Sequence, residues 1–78
     1  MEELVRYIVE HLVDDTSSVS VELSKDSETS ATIYIHADKN VIGKIIGKNG
    51  KIAGSIRQIV KTASANTGVK YYVQIIEK

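Results

Sequence analysis

The 78-residue chain has no cysteine, no proline, no tryptophan and no phenylalanine. Without cysteine there is neither a disulfide nor a thiolate metal site to reinforce the core. Without proline there is no sign of a Pro-rich tail or linker. No apolar run exceeds three residues, far short of the roughly 18 that a membrane span requires. No signal peptide opens the chain, and a cytoplasmic location is expected. Acids are missing from one half. Residues 39–76 carry seven bases and no Asp or Glu, whereas residues 1–38 carry nine acids against two bases.

What remains is enough for one small domain, expected to span residues 1–78. At this size only about 60–65% of the unfolded chain's surface is buried, so modest stability is expected. The formal net charge of zero hides the asymmetry, which suggests one surface for an anionic ligand and another facing water or a partner.

Leu4, Val5, Ile8, Val9, Leu12 and Val13 recur at helical spacing and predict an amphipathic helix. Asp14 and Asp15 oppose the dipole of a helix C-terminus, which sets the end near Val13. Val19, Val21 and Leu23 alternate with polar residues as a half-buried strand, and Ala31 to His36 form a second. The polar turn between them makes an antiparallel hairpin the simplest pairing. Asp38 reads as the N-cap of a short helix over about 39–46. Ile52, Ile56, Ile59, Val60 and Ala63 mark a longer helix over about 51–65. Val69, Tyr71, Val73 and Ile75 alternate as a final strand. The order α-β-β-α-α-β predicts an α+β fold: a three-stranded mixed sheet with the helices on one face.

Between the last two helices lies Val41-Ile42-Gly43-Lys44-Ile45-Ile46-Gly47-Lys48-Asn49-Gly50-Lys51-Ile52. Gly47 and Gly50 lack a Cβ, so the backbone there can turn tightly and touch a sugar-phosphate chain. A plain interhelical turn explains the glycines equally well. Lys48 shifts the reading because it can pair with phosphate, and Asn49 tolerates a left-handed backbone and can donate a hydrogen bond. The loop also leads into a helix N-terminus, where free N–H groups favour anions. Lys51 is a cation against the dipole there, which bound phosphate would explain.

This loop, with Ile42-Gly43, Lys51-Ile52 and Ser55-Ile56-Arg57 around it, resembles the Gly-X-X-Gly signature of a KH domain, which clamps about four nucleotides of single-stranded nucleic acid. The element order resembles the type II KH fold. The whole chain is similar to the small single-KH bacterial RNA-binding proteins of the KhpA type. That resemblance implies a non-catalytic protein, without cofactor, that holds single-stranded RNA and acts as a post-transcriptional regulator or RNA chaperone. The implied RNA-binding residues are Ile42, Gly43, Lys44, Ile46, Gly47, Lys48, Asn49, Gly50, Lys51 and Arg57. Ile42 and Ile46 would floor the groove under the bases or serve the core. Arg57 could reach either the groove or the sheet, and the resemblance favours the groove. The family also implies a homodimer, or a heteromer with a larger KhpB-like KH protein. Ile56, Ile59, Val60 and Ala63 are the candidate shared surface, unless all four belong to the core. Replacing Gly47 and Gly50 together by Asp is expected to abolish RNA binding while sparing the fold.

Other motifs fail on spacing. A Walker A loop needs four residues between its glycines and a Ser or Thr after Lys; three separate Gly43 from Gly47, and Asn49 follows Lys48. A dinucleotide fingerprint lacks its first glycine pair, and a membrane Gly-X-X-X-Gly motif lacks its apolar segment. His11 and His36 have no nucleophile or ligand partner nearby in sequence, so no acid–base pair can be nominated. The rival reading is an assembly module that uses the same fold with little RNA binding of its own.

Overall fold

The computed structural model describes residues 1–78. Helix α1 spans Glu2–Glu10, strand β1 Val19–Lys25, strand β2 Ser30–Ala37, helix α2 Ile42–Ile46, helix α3 Lys51–Ala63 and strand β3 Lys70–Glu77. Single 3-10 turns at Thr16–Ser18 and Lys48–Gly50 introduce β1 and α3. The sheet order is β1-β2-β3, with β1 antiparallel and β3 parallel to the central β2. A parallel neighbour cannot be reached by a tight turn, and α2 and α3 supply the crossover. The predicted mixed sheet and element order are therefore present.

Register decides which face is buried. Val21 pairs with Ile35 and Leu23 with Ile33, and across the sheet Ile33 pairs with Val73 and Ile35 with Ile75. Side chains alternate along a strand, so these residues share one face. Against that face pack Val5 and Val9 of α1, Ile45 of α2, and Ile56 and Val60 of α3. The opposite face carries Glu22, Tyr34, His36, Tyr72 and Gln74 and has no helix over it. This is a two-layer sandwich.

Three boundaries differ from expectation. Helix α1 stops at Glu10 rather than near Val13, with His11 as its C-cap. Val13 is nonetheless buried and Leu12 packs on the core, so burial continued past the helix and periodicity could not show the break. Asp15 then organises the turn into β1: its carboxylate accepts the Ser17 N–H at 3.0 Å and the Ser17 hydroxyl at 2.7 Å. These two bonds hold its carboxyl below the ordinary Asp value of 3.8. Helix α2 begins at Ile42, and Asp38 does not cap it through its side chain. The Asp38 carbonyl instead accepts the N–H groups of Val41 and Ile42, each at 3.0 Å, which closes a turn ahead of the helix. Helix α3 ends at Ala63, where Ser64 is the C-cap and is buried.

Candidate nucleic-acid interface

The loop between α2 and α3 is built from positive-φ backbone. Gly47 has φ 76° and ψ 171°, Asn49 φ 58° and ψ 25°, and Gly50 φ 74° and ψ 14°. Asn49 is the only non-glycine residue with positive φ in the chain, a conformation its side chain tolerates better than most. Gly50 takes the left-handed position at the start of α3. Gly47 instead combines positive φ with extended ψ, a region essentially reserved for glycine. It is required twice over, because a Cβ there would lie 2.6–2.9 Å from three side-chain carbons of Ile52. Ile52 packs against the core, so the loop is locked to the body of the fold. The double aspartate exchange at Gly47 and Gly50 therefore cannot spare the fold as expected.

This backbone lays Lys48 and Asn49 out into solvent, with no hydrogen bond or ion pair made by either side chain. Gly50 opens α3 without a side-chain cap, and no acid lies in the first turn. The dipole at the start of this helix thus favours an external anion, while the Gly50 N–H already donates to the Gly47 carbonyl and the Lys51 N–H to the Lys48 carbonyl. Lys51 is exposed at the same place. On α2, Ile45 is fully buried, Ile42 is half-buried against the core, and Ile46 is 38% exposed. Gly43 lies one turn before Ile46 and Gly47 on the same face, and a Cβ on it would meet nothing within 4 Å. The fold itself makes no demand for a glycine at 43. Lys44 Nζ lies 4.0 Å from an Asp14 carboxylate oxygen, both well exposed, a contact too weak to hold the lysine away from a ligand.

Arg57 stands apart from the loop. Seven residues beyond Gly50, it lies about 10 Å further along the helix axis, and its Nε–H donates to the Val73 carbonyl of β3 at 3.3 Å. Of its two expected destinations it takes the sheet. Of the four α3 residues assigned to a shared surface, Ile56 and Val60 are core residues at 1% and 0% exposure. Ile59 at 42% and the exposed Ala63 are the two left facing solvent. The histidines are accounted for locally: His11 Nδ1 sits 2.7 Å from the Tyr7 carbonyl, and His36 Nε2 lies 3.6 Å from Glu22.

Sequence reasoning missed one feature. A cleft of about 400 Å3 wraps the edge of β3 beside α3 and is lined by Arg57, Lys61, Lys70 and Tyr72 among others. Its signal was the acid-free stretch, but the spacing of Lys61 and Lys70 does not reveal that they meet.

The family model described as "KhpA/KhpB, KH domain" matches residues 2–75. RNA-binding protein KhpA of Listeria monocytogenes is 36% identical over 77 residues, covering 99% of this chain and 100% of that protein. RNA-binding protein KhpA of Clostridium perfringens is 38% identical over 76 residues, covering 97% and 100%. Among solved structures, Era from Aquifex aeolicus superposes with a TM-score of 0.64 at 22% identity, over 99% of this chain and 29% of that one. Era in complex with MgGDPNP and a segment of 16S ribosomal RNA gives 0.60 at 24% identity, again over 99% and 29%. The chain thus spans less than a third of Era, and at these identities the likeness concerns the fold.

Proposed function

The chain belongs to the KhpA/KhpB KH-domain family, and from that premise we propose that it is a non-catalytic RNA-binding protein that holds single-stranded RNA across the Gly47–Gly50 loop. The observation that carries this is the loop itself. Its positive-φ backbone presents Lys48, Asn49 and the uncapped start of α3 side by side, within the acid-free stretch 39–76. Phosphates meet the side chains of Lys48, Asn49 and Lys51, with Lys44 at the flank. Bases lie over Gly43 and against Ile42 and Ile46. An isoleucine left 38% exposed beside a glycine with no internal purpose supports an apolar floor. The relatives that match end to end are RNA-binding proteins KhpA.

The test is fluorescence anisotropy with a short unstructured RNA, comparing wild type with Lys48→Asp/Asn49→Asp. Both positions are exposed, neither side chain makes a hydrogen bond or ion pair, and Asp shares the tolerance of Asn for positive φ, so the fold is spared. Loss of binding with an unchanged circular dichroism spectrum supports the loop. Unchanged affinity removes it.

The protein pairs with a second KH chain through the outer side of α3. Ile59 and the exposed Ala63 form the contact, while Ile56 and Val60 stay in the core. The partner is a second copy or a larger KhpB-like protein. Such pairing raises the affinity of a domain that alone clamps only about four nucleotides. Through it the protein acts on transcripts as a bacterial post-transcriptional regulator or RNA chaperone.

A further inference from the structure

We infer that Asn49 is a site of spontaneous covalent modification: it loses its side-chain amide through a ring closed by the backbone nitrogen of Gly50, and the carboxylate left behind weakens RNA binding. The effect on RNA rests on the loop reading; the chemistry at Asn49 does not.

The chain has three asparagines, and one of them is followed by glycine. Asn40 precedes Val41 and Asn66 precedes Thr67, both branched at Cβ. A branched side chain crowds its own backbone nitrogen, whereas Gly50 leaves that nitrogen bare. It can therefore attack Asn49 Cγ. The N–Cγ bond forms, the Cγ–Nδ2 bond breaks, and the amide leaves as ammonia with the proton of the Gly50 N–H. Water then opens the five-membered ring. Addition at Cγ gives an aspartyl residue, and addition at the main-chain carbonyl gives isoaspartyl, whose backbone runs through the former side chain. One water is consumed and one ammonia released, with nothing oxidised or reduced.

The surroundings favour the attack. Asn49 is exposed and its side chain makes no hydrogen bond, so Cγ is free to turn and water has access. The neighbouring Lys48 and Lys51 set positive charge near the anion that develops as the ring closes. Space around Gly50 is open, since a Cβ there would meet nothing within 4 Å.

The closed loop holds the reaction back. At ψ 25° the Gly50 nitrogen is turned away from the Asn49 side chain, and its N–H donates to the Gly47 carbonyl at 3.1 Å. Ring closure needs the Asn49–Gly50 peptide to rotate and that bond to break. Such opening is local, because Gly47 stays seated against Ile52. A ligand that binds the closed loop alone depletes the open form in proportion to its occupancy. RNA therefore protects Asn49, and free protein ages faster than bound protein. The product places its new charge between Lys48 and Lys51, where phosphates sit. Cancelling one single-strand contact takes about 0.7 from the log–log salt slope, roughly a 5-fold effect at 0.1 M salt that vanishes by 1 M.

The experiment ages the whole protein in mildly alkaline buffer, alone and saturated with a four-nucleotide RNA, and follows each asparagine by peptide mass spectrometry. RNA affinity is measured before and after, beside Asn49→Asp, which keeps the tolerance for positive φ and reproduces one product. Amide loss should begin at Asn49, and bound RNA should slow it. Aged protein and Asn49→Asp should bind at least about 5-fold more weakly at 0.1 M salt and converge with fresh protein by 1 M. Loss at Asn49 no faster than at Asn40 and Asn66 would overturn the site. Converted protein that binds like fresh protein would overturn the effect on RNA, and a rate indifferent to bound RNA would overturn the protection. Failure of fresh protein to bind RNA would instead strike the loop reading, while amide loss confined to Asn49 would still uphold the site.

Discussion

Four of the glycines should answer in three different ways to the same substitution, because the structure sets them in three different environments. At Gly47 an alanine Cβ falls 2.6 Å from Ile52 Cγ1, 2.8 Å from its Cβ and 2.9 Å from its Cδ1. Ile52 is branched and seated against the core, so it cannot swing away as the end of a long side chain could. Overpacking of this kind costs about 1–3 kcal/mol, and the backbone region that Gly47 occupies adds about 1–3 kcal/mol for a residue with a Cβ. A domain of this length has about 4–12 kcal/mol of stability in all. Gly47→Ala should therefore lose a large share of it, about 2–6 kcal/mol. At Gly50 the space is open but φ is 74°, so alanine should cost only the left-handed penalty of about 1–2 kcal/mol. Gly43 and Gly54 are helical and open, and alanine at either should stabilise by about 0.5–1 kcal/mol. In a small domain each kcal/mol shifts Tm by about 4–8 °C, so thermal unfolding resolves the series. The stabilised Gly43→Ala variant should still bind RNA less well. A Gly47→Ala protein as stable as Gly50→Ala would refute the steric argument. A destabilised Gly54→Ala would show that the helix interior uses that glycine internally.

Affinity for a four-nucleotide RNA should fall with salt at a log–log slope near −2, about three contacts at roughly −0.7 each, and Lys48→Ala should remove about one contact's worth; a flat response would mean that the basic half is not the binding surface. Ile59→Lys should run as a folded monomer in sedimentation where wild type runs as a dimer, whereas Ile56→Lys should unfold, since that side chain is 1% exposed; a wild type that is monomeric at high micromolar concentration would remove the pairing. The bonds from Ser17 depress the Asp15 carboxyl. Their contribution to stability is therefore present above the unfolded-state value near 3.8 and lost as pH falls through the lower folded value. Carboxyl NMR should place Asp15 below 3.8, and Ser17→Ala should return it towards that value.

The order of elements and the mixed sheet were legible in the chain because period-2 and helical patterns alternate cleanly there. Val21, Ile35 and Val73 could be placed on one face from alternation alone. Helix ends were not legible. Leu12 and Val13 serve the core without being helical, and hydrophobic spacing records burial, not backbone bonding. Asp38 has the composition of an N-cap, but its carbonyl takes the amides that its side chain was expected to take. At the candidate site the glycines, Lys48 and Asn49 were readable because a short loop keeps them adjacent. The division of Ile42, Ile45 and Ile46 into half-buried, buried and exposed was not, since a five-residue helix gives too little periodicity to orient it. The β3 cleft needs Lys61 and Lys70, brought together by the turn between α3 and β3, and no local pattern announces that meeting.

Binding of RNA at the Gly47–Gly50 loop can be followed residue by residue by backbone amide NMR during titration with a four-nucleotide RNA. The largest shifts should fall on Gly43 and on Ile46 to Ile52, with the amides of α1 and β1 unmoved. Shifts confined to the open sheet face at Tyr34, His36 and Tyr72, with the loop amides stationary, would contradict it.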